Sequence, residues 1–298
     1  MSHAASPSTG QVYGVARVCR AWGIPRSTVY ARRQGAAPTR EPRRRGPRTP
    51  WSDEELLLHI RAVLEADEFV GEGYRKVLAQ LRLAGVRTSK RRTLRLMREH
   101  NLLAPTRAGQ PHGPKAHDGT ITTTMPDEVW GIDITSTVTR REGTANVFVL
   151  VDHCTAECLG LHVAMRATRF EAIEPLRQAV PFAFGVYEQG RAAGLRLRHD
   201  HGSQFLSDHF QAELRFLGIE SSPAFVREPE GNGCAERFIR TLKEQLLWIR
   251  TFDTIAELQA ALTTFRQRYN HAWLVEKHGF KTPAATREAL TTSLGEAA

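Results

Sequence analysis

The chain has 298 residues and a formal net charge of +9, with 41% hydrophobic and 24% charged residues. That length predicts two or three domains, and the composition excludes a disordered, collagen-like or membrane-spanning chain. The four cysteines are too few and too scattered for a disulfide scaffold. The first residues show no charged, apolar-cored leader, so we expect a cytoplasmic protein.

The positive charge is concentrated at the front of the chain. Residues 1–50 contain ten arginines and one acid, Glu41, whereas the remainder is nearly balanced. Residues 12–33 predict two short helices around Gly23-Ile24-Pro25, which is typical of a helix-turn-helix, although an ordinary helical hairpin is the alternative. A basic linker without periodicity follows, up to residue 50. We expect DNA contacts from Arg26, Ser27 and Thr28 in the second helix and from Arg43, Arg44 and Arg45 in the linker.

A second helical block with its connector covers residues 51–119. Ser52-Asp53-Glu54-Glu55 predicts a capping box, and Thr88-Ser89 predicts the start of a third helix. That third helix carries several cations with no acid before Glu99. A solvated charged face is the alternative, but uncompensated cations favour a second DNA-contacting helix. The expected contacts are Lys90, Arg91, Arg92 and Arg95.

The periodicity changes in residues 120–298. Strand-like runs at 129–138, 146–151, 159–164 and 195–198 are followed or separated by helical patterns at 169–183, 204–217, 234–249 and 254–269. This order predicts an α/β domain with a mixed sheet and helices at its C-terminal end.

Three acids in this domain are candidate metal ligands. Asp133 interrupts an apolar strand, Asp200 directly follows another strand, and Glu236 lies on a helix away from its apolar stripe. A buried carboxylate is unfavourable unless it is paired or binds a metal. Carboxylates that a sheet brings together form a site for Mg²⁺ or Mn²⁺.

These acids carry a family resemblance. Thirty-five residues separate Asp200 from Glu236, and the strand-strand-helix placement resembles the D,D-35-E core of retroviral integrases and insertion-sequence transposases. Nearly the whole chain resembles the larger-subunit transposases of the IS-three group, in motifs such as Asp200-His201-Gly202-Ser203-Gln204 and Asn232-Gly233-Cys234-Ala235-Glu236. The resemblance implies an RNase H-like core with a mixed five-stranded sheet, preceded by all-α helix-turn-helix modules.

The resemblance also implies a transposase that cleaves at element ends and transfers a 3′-hydroxyl to target DNA. Asp133, Asp200 and Glu236 would then be catalytic and would hold two Mg²⁺ or Mn²⁺ ions, as an in-line phosphodiester displacement requires. Helix geometry places Arg240 and Lys243 beside Glu236, and in the family this lysine contacts end DNA. His199 and His201 either orient Asp200 or contact phosphate.

The expected partner is double-stranded DNA, both element ends and target, in the bacterial cytoplasm on the nucleoid. We expect a homo-oligomer on DNA, and the resemblance suggests a small upstream helix-turn-helix partner protein. Two other functions remain open: an RNase H-like nuclease that only hydrolyses DNA, and a DNA-binding regulator. The intact acid triad argues against the regulator, and two DNA-binding modules argue against a nuclease without sequence preference.

Overall fold

A computed structural model describes residues 3–33, 50–105, 123–223 and 232–295. The chain divides into two compact units, Met1–Pro50 and Trp51–Ala298. The predicted contacts Arg43, Arg44 and Arg45 lie outside the described residues. None of the helices in the described ranges is long and apolar enough to cross a membrane.

The front unit contains the two short helices that the sequence predicts. Helix α1 spans Gly14–Ala21 and helix α2 spans Arg26–Arg33. Between them Gly23 has a φ of 64°, a conformation that glycine adopts without the steric penalty of a side chain. Arg26, Ser27 and Thr28 form the exposed first turn of α2.

Three helices open the second unit: α3 (Asp53–Ala66), α4 (Tyr74–Leu83) and α5 (Lys90–Glu99). The predicted capping box is present, because the Glu55 N–H donates to the Ser52 hydroxyl at 3.2 Å and the Ser52 N–H donates to the Glu55 carboxylate at 2.7 Å. The helices share a small core that includes Leu56, Ile60 and Leu81. We call residues 51–105 the helical module.

The five strands of the described chain form one mixed sheet in the order β3-β2-β1-β4-β5. The strands are β1 (Val129–Thr139), β2 (Gly143–Asp152), β3 (Cys158–Ala164), β4 (Arg196–His199) and β5 (Glu220–Pro223). β1, β2 and β3 pair antiparallel, whereas β4 pairs parallel with β1 and with β5. This arrangement confirms the predicted fold class.

Each face of the sheet has its own hydrophobic core, because successive side chains of a strand point to opposite faces. On one face, Ile132 and Phe148 pack with apolar residues of helices α6 (Glu174–Phe184) and α8 (Asp208–Leu217). On the other face, Val147 and Val149 pack with helices α9 (Gly233–Leu242) and α10 (Ile255–Ala272). The last helix of the described residues is α11 (Pro283–Gly295).

Two predicted helices differ from the structure. The helix predicted at 204–217 is broken into α7 (Ser203–Leu206) and α8, because Ser207 has an extended backbone and its hydroxyl caps α8 by accepting from the Phe210 N–H at 3.3 Å. The helix predicted at 234–249 is α9 followed by a π-helical turn at Lys243–Leu247.

The C-terminal helix is held to the core by a buried ion network. The Arg287 guanidinium donates to both carboxylate oxygens of Asp127, at 2.7 and 3.0 Å, and also to Glu157. The Arg287 side chain is only 13% exposed. Burial disfavours its charge, but the hydrogen bonds and charges of the two carboxylates outweigh that effect and raise the pKa of Arg287.

Candidate active site

The sheet brings Asp133 and Asp200 together. In the parallel β1–β4 pair, Gly131 lies opposite Arg198, and continuing this register by two residues puts Asp133 opposite Asp200. Ile132 of β1 and Leu197 of β4 belong to the core on the α6 and α8 face. By alternation, Asp133 and Asp200 point to the other face, which α9 covers.

Helix α9 brings the third acid to this face. The helix packs against β1 and β2, and Asn232, at its start, donates from Nδ2 to the Ile132 carbonyl at 3.0 Å. Glu236 follows one turn later. The Asn232 anchor therefore fixes the start of α9, and with it Glu236, beside the strand that carries Asp133.

Close packing at Gly131 makes this anchor possible. A Cβ atom at this position would lie 2.5 Å from the Asn232 Oδ1 and 2.8 Å from the His153 Nε2, both of which are too close for real contacts. Burial lowers the pKa of His153 to about 4, so its ring is neutral at pH 7. Position 131 of β1 thus favours glycine, because the side chains of Asn232 and His153 pack directly against its backbone.

Burial and the charges of the other two acids act on Asp133. Burial, followed by the charges of Asp200 and Glu236, raises the pKa of Asp133 to about 6, although a hydrogen bond from the Ile134 N–H and the charge of Lys243 oppose the rise. Burial also raises the pKa of Glu236. The ionised carboxylates are therefore held in an unfavourable environment that a cation would relieve.

Two positively charged side chains lie in a pocket beside Asp133 and Glu236. Asp133, Glu236, Arg240 and Lys243 line an open pocket together with Glu244 and Trp248. The Arg240 Nε donates to the Glu244 carboxylate at 3.0 Å. Thus the predicted neighbours of Glu236 do share its side of the helix.

Neighbouring histidines and acids have distinct positions. His199 is buried, with its Nδ1 2.7 Å from the Asp200 carbonyl and its Nε2 2.8 Å from the Ser221 hydroxyl. Because a carbonyl only accepts, Nδ1 is the donor, and His199 orients the Asp200 backbone. His201 is exposed at the surface.

Asp152 is fully buried, and its carboxylate accepts hydrogen bonds from Thr155 and from the Asp127 N–H. It therefore stabilises the turn after β2.

The donor set suits Mg²⁺ or Mn²⁺, since all three candidate ligands are carboxylates and burial raises the pKa of two of them, Asp133 and Glu236. Asp200 Oδ1 accepts from the Gly202 N–H at 2.8 Å, which leaves its Oδ2 as the oxygen that can turn toward a cation. As the side chains stand in the described ranges, no three Asp, Glu, His or Cys groups are close enough to hold an ion.

Acidic side chains partly neutralise the positively charged residues of α5. Arg92 and Arg95 each contact Asp53 at 2.6 Å, and Arg95 also pairs with Glu99 at 2.8 Å. The expectation of uncompensated cations was therefore wrong for these two arginines, because the acid comes from α3, far away in sequence. Lys90 and Arg91 remain exposed on the first turn of α5.

Three further residues position the site without having a role that the sequence predicts: Asn232, Gly131 and Gln245. Gln245 lies in the π-turn, and its side-chain amide pairs with both backbone polar groups of Val70 in the helical module. It accepts from the Val70 N–H and donates to the Val70 carbonyl, each at 2.8 Å. A glycine inside an apolar strand was the one sequence signal available, since it often marks close approach of another segment.

Comparison with protein families gives consistent matches. Residues 123–229 and residues 217–283 match two models described as integrase core domain, and residues 51–109 match an HTH-like domain. The transposase InsD for insertion element IS2A/D/F/H/I/K of Escherichia coli is 28% identical over 203 residues, which is 66% of this chain and 66% of that protein. The match thus spans just under two thirds of the relative.

Solved structures of similar shape include viral integrases. The intasome of simian T-cell lymphotropic virus has a TM-score of 0.47 at 22% identity, covering 70% of each chain. The catalytic core domain of BIV integrase has a TM-score of 0.42 at 21% identity, covering 57% of this chain and 97% of that one.

The mixed sheet has one acid on its central strand β1, one directly after β4 and one on the helix across them, and this sheet lies within the residues that match the integrase core domain. An HTH-like module precedes that core in the same chain. Over residues 51–283 the chain therefore resembles DDE transposases and retroviral integrases, with an HTH-like domain followed by an integrase core domain.

Proposed function

We propose that this protein is a DNA transposase, a polynucleotidyl transferase that cleaves at the ends of a DNA element and joins the 3′-hydroxyl to target DNA. One observation carries the proposal. Asp133 lies in the centre of the sheet, and burial together with the charges of both Asp200 and Glu236 raises its pKa. The pocket that Asp133 lines also contains the positively charged side chains of Arg240 and Lys243. The match to an integrase core domain and the similarity to a bacterial transposase support the same activity.

We assign Asp133, Asp200 and Glu236 as the residues that hold two divalent cations, Mg²⁺ or Mn²⁺. When bound, these ions would supply activation of the attacking oxygen and stabilisation of the leaving one. The raised pKa of Asp133 supports the assignment, because a bound positive charge would offset the unfavourable ionisation of this carboxyl group. His199 orients Asp200 from behind through the carbonyl contact.

Lys243 and Arg240 are proposed to contact phosphates of the DNA end. Both line the pocket beside Glu236, and Lys243 acts on Asp133 electrostatically. A lysine cannot ligate the cations, but its charge fits the phosphate next to the scissile one. Lys243→Ala is therefore expected to misplace the DNA end, whereas Lys243→Arg retains part of the joining rate.

Recognition of DNA is proposed for the parts before the core. The proposed domains are a basic helix-turn-helix with its linker (1–50), a helical DNA-binding module with its connector (51–119) and the catalytic core (120–298). The exposed, positively charged side chains of Arg26 at the start of α2 and of Lys90 and Arg91 at the start of α5 support phosphate contacts there. The proposed assembly is a homo-oligomer on double-stranded DNA, acting with a small upstream partner protein, in the bacterial cytoplasm, since the matched relative is bacterial.

A strand-joining assay tests the proposal. The substrates are labelled duplexes from either side of the coding sequence, with Mg²⁺ and a target plasmid. Asp133→Asn, Asp200→Asn and Glu236→Gln are each expected to abolish cleavage and joining while DNA binding persists. Asp208→Asn is the control, since Asp208 is exposed on the first turn of α8.

The outcomes separate the three functions. Joined products support a transposase, hydrolysis without joining indicates a nuclease, and binding without either indicates a regulator. A triad variant that joins DNA at a near-normal rate would remove that residue from the site.

A further inference from the structure

Trp248 is an exposed tryptophan at the candidate active site. Its residue surface is 69% exposed, although tryptophan is a highly buried residue on average. It lines the same pocket as Asp133, Glu236 and Lys243. An indole ring in that position calls for a physical explanation, because exposing it to water is unfavourable.

The π-turn explains how Trp248 comes to this pocket. On a regular helix, the position three turns after Glu236 would be Leu247. The Trp248 N–H instead donates to the Lys243 carbonyl at 2.9 Å, five residues back, which adds one residue to the turn. Leu247 is consequently buried, and Trp248 takes its place on the Glu236 side.

The π-turn is also held from outside the helix. Gln245, its central residue, is buried and makes both of its amide hydrogen bonds to the backbone of Val70, each at 2.8 Å. Side chains that are fixed in this way keep a binding group at one place before its ligand arrives. The exposed indole is therefore presented by a fixed part of the fold.

The surroundings of the ring favour nucleic acid over protein. Glu236, Arg240, Lys243 and Glu244 line the pocket around it, and charged residues are depleted from the centres of protein interfaces. A groove with cations for the backbone and an aromatic face for a base is typical of sites for unpaired DNA. A base within an intact duplex does not offer its face, whereas an unpaired or flipped base does.

We propose that Trp248 is a stacking platform for one unpaired nucleobase of the DNA end, next to the phosphate at the acids. This inference rests on the proposed function. It adds that the end must be opened by at least one base pair in the productive complex. Trp248 would then contact the substrate without taking part in the reaction itself.

A binding assay without catalysis tests the platform. The protein, in Ca²⁺ or EDTA, is titrated against fluorescently labelled element ends whose terminal nucleotides are either paired or unpaired. Trp248→Ala is expected to weaken binding to the unpaired end by about tenfold, the range expected for loss of one base stack, and to change binding to the paired end much less. Trp248→Phe should retain most of the affinity.

The matched control is Ile249→Ala. Ile249 is the next residue, 59% exposed, and is not among the residues that line the pocket. The same ends are then made with single abasic positions, one at a time. If one base stacks on Trp248, removing that base weakens the wild type about as much as Trp248→Ala does, and it has no further effect in the variant.

Each result has a clear meaning. Equal affinities of the wild type, Trp248→Ala and Ile249→Ala for the unpaired end overturn the platform, and so do abasic effects that persist in full in Trp248→Ala. A variant that binds normally but loses self-association overturns it in favour of a protein contact. If the wild type joins DNA but Trp248→Ala binds the unpaired end as well as the wild type does, the platform is overturned and the proposed function stands. If the wild type neither binds nor cuts DNA, both proposals are overturned.

Discussion

Replacing Asp133 with asparagine is expected to stabilise the protein in the absence of divalent cations while abolishing cleavage and joining. Asparagine keeps the shape of the side chain and an oxygen for the Ile134 N–H, which lies 2.8 Å from Asp133 Oδ1. It removes the charge. The pKa of Asp133 is about 6 in the fold against an ordinary value of 3.8. A difference of about 2 corresponds to about 3 kcal/mol, which is the upper limit of the expected gain.

The gain depends on pH in a defined direction. Below about pH 4 the Asp133 carboxyl is protonated in both the folded and the unfolded chain, so wild type and variant are expected to differ little. Between about pH 4 and 6 the folded protein retains a proton that the unfolded chain has released, so ionisation reduces wild-type stability as the pH rises. Above pH 6 the full difference is present.

Urea unfolding with EDTA at pH 4, 6 and 8 measures this difference. Added Mg²⁺ should raise the stability of the wild type, because ligands that bind only the folded state stabilise it, and it should raise that of Asp133→Asn much less. Asp208→Asn, on the exposed first turn of α8, should change the free energy of unfolding by less than about 0.5 kcal/mol. A variant that is less stable than the wild type at pH 8, or a gain that does not vary with pH, refutes the reasoning.

Two further substitutions test the packing and charge of the core. Gly131→Ala is expected to lower the free energy of unfolding by about 1–3 kcal/mol and to impair joining, since the new Cβ meets Asn232 at 2.5 Å. Gly233→Ala, with no atom within 4 Å, should be tolerated, and equal effects in urea unfolding would contradict the packing argument. Arg287→Leu is expected to cost about 3–5 kcal/mol, because it leaves the buried carboxylate of Glu157 and the partly buried carboxylate of Asp127 without their cation. Arg250→Leu, from an exposed ion pair, should cost less than about 1 kcal/mol, and similar values for both arginines would refute the difference in burial as the cause.

The acids could be predicted because each one disturbs a local pattern. Asp133 interrupts an apolar strand, and Asp200 follows a strand that ends at His199. The parallel pairing of β1 with β4 brings the two together, and that pairing follows from ordinary α/β connectivity. Strand β5, which reads Glu-Ser-Ser-Pro at Glu220–Pro223, is too short and polar to stand out from a loop in sequence.

Other features depend on contacts that sequence periodicity does not encode. The π-turn lies within a run whose apolar residues continue at helical spacing, so nothing in residues 234–249 marks the inserted residue. Asp53 meets Arg92 and Arg95 across separations of 39 and 42 residues, because α3 and α5 pack together. Charge runs along one helix therefore overstate the free charge of a folded surface.

The paired hydrogen bonds between Gln245 and Val70 have a consequence for engineering. They join a backbone segment of the helical module to the turn that carries Lys243 and precedes Trp248. A chimaera that takes its HTH-like helices from another protein would replace Val70 and its neighbours as well. To keep the π-turn in register, such a graft should retain residues 67–73 of this chain and exchange only what lies outside them.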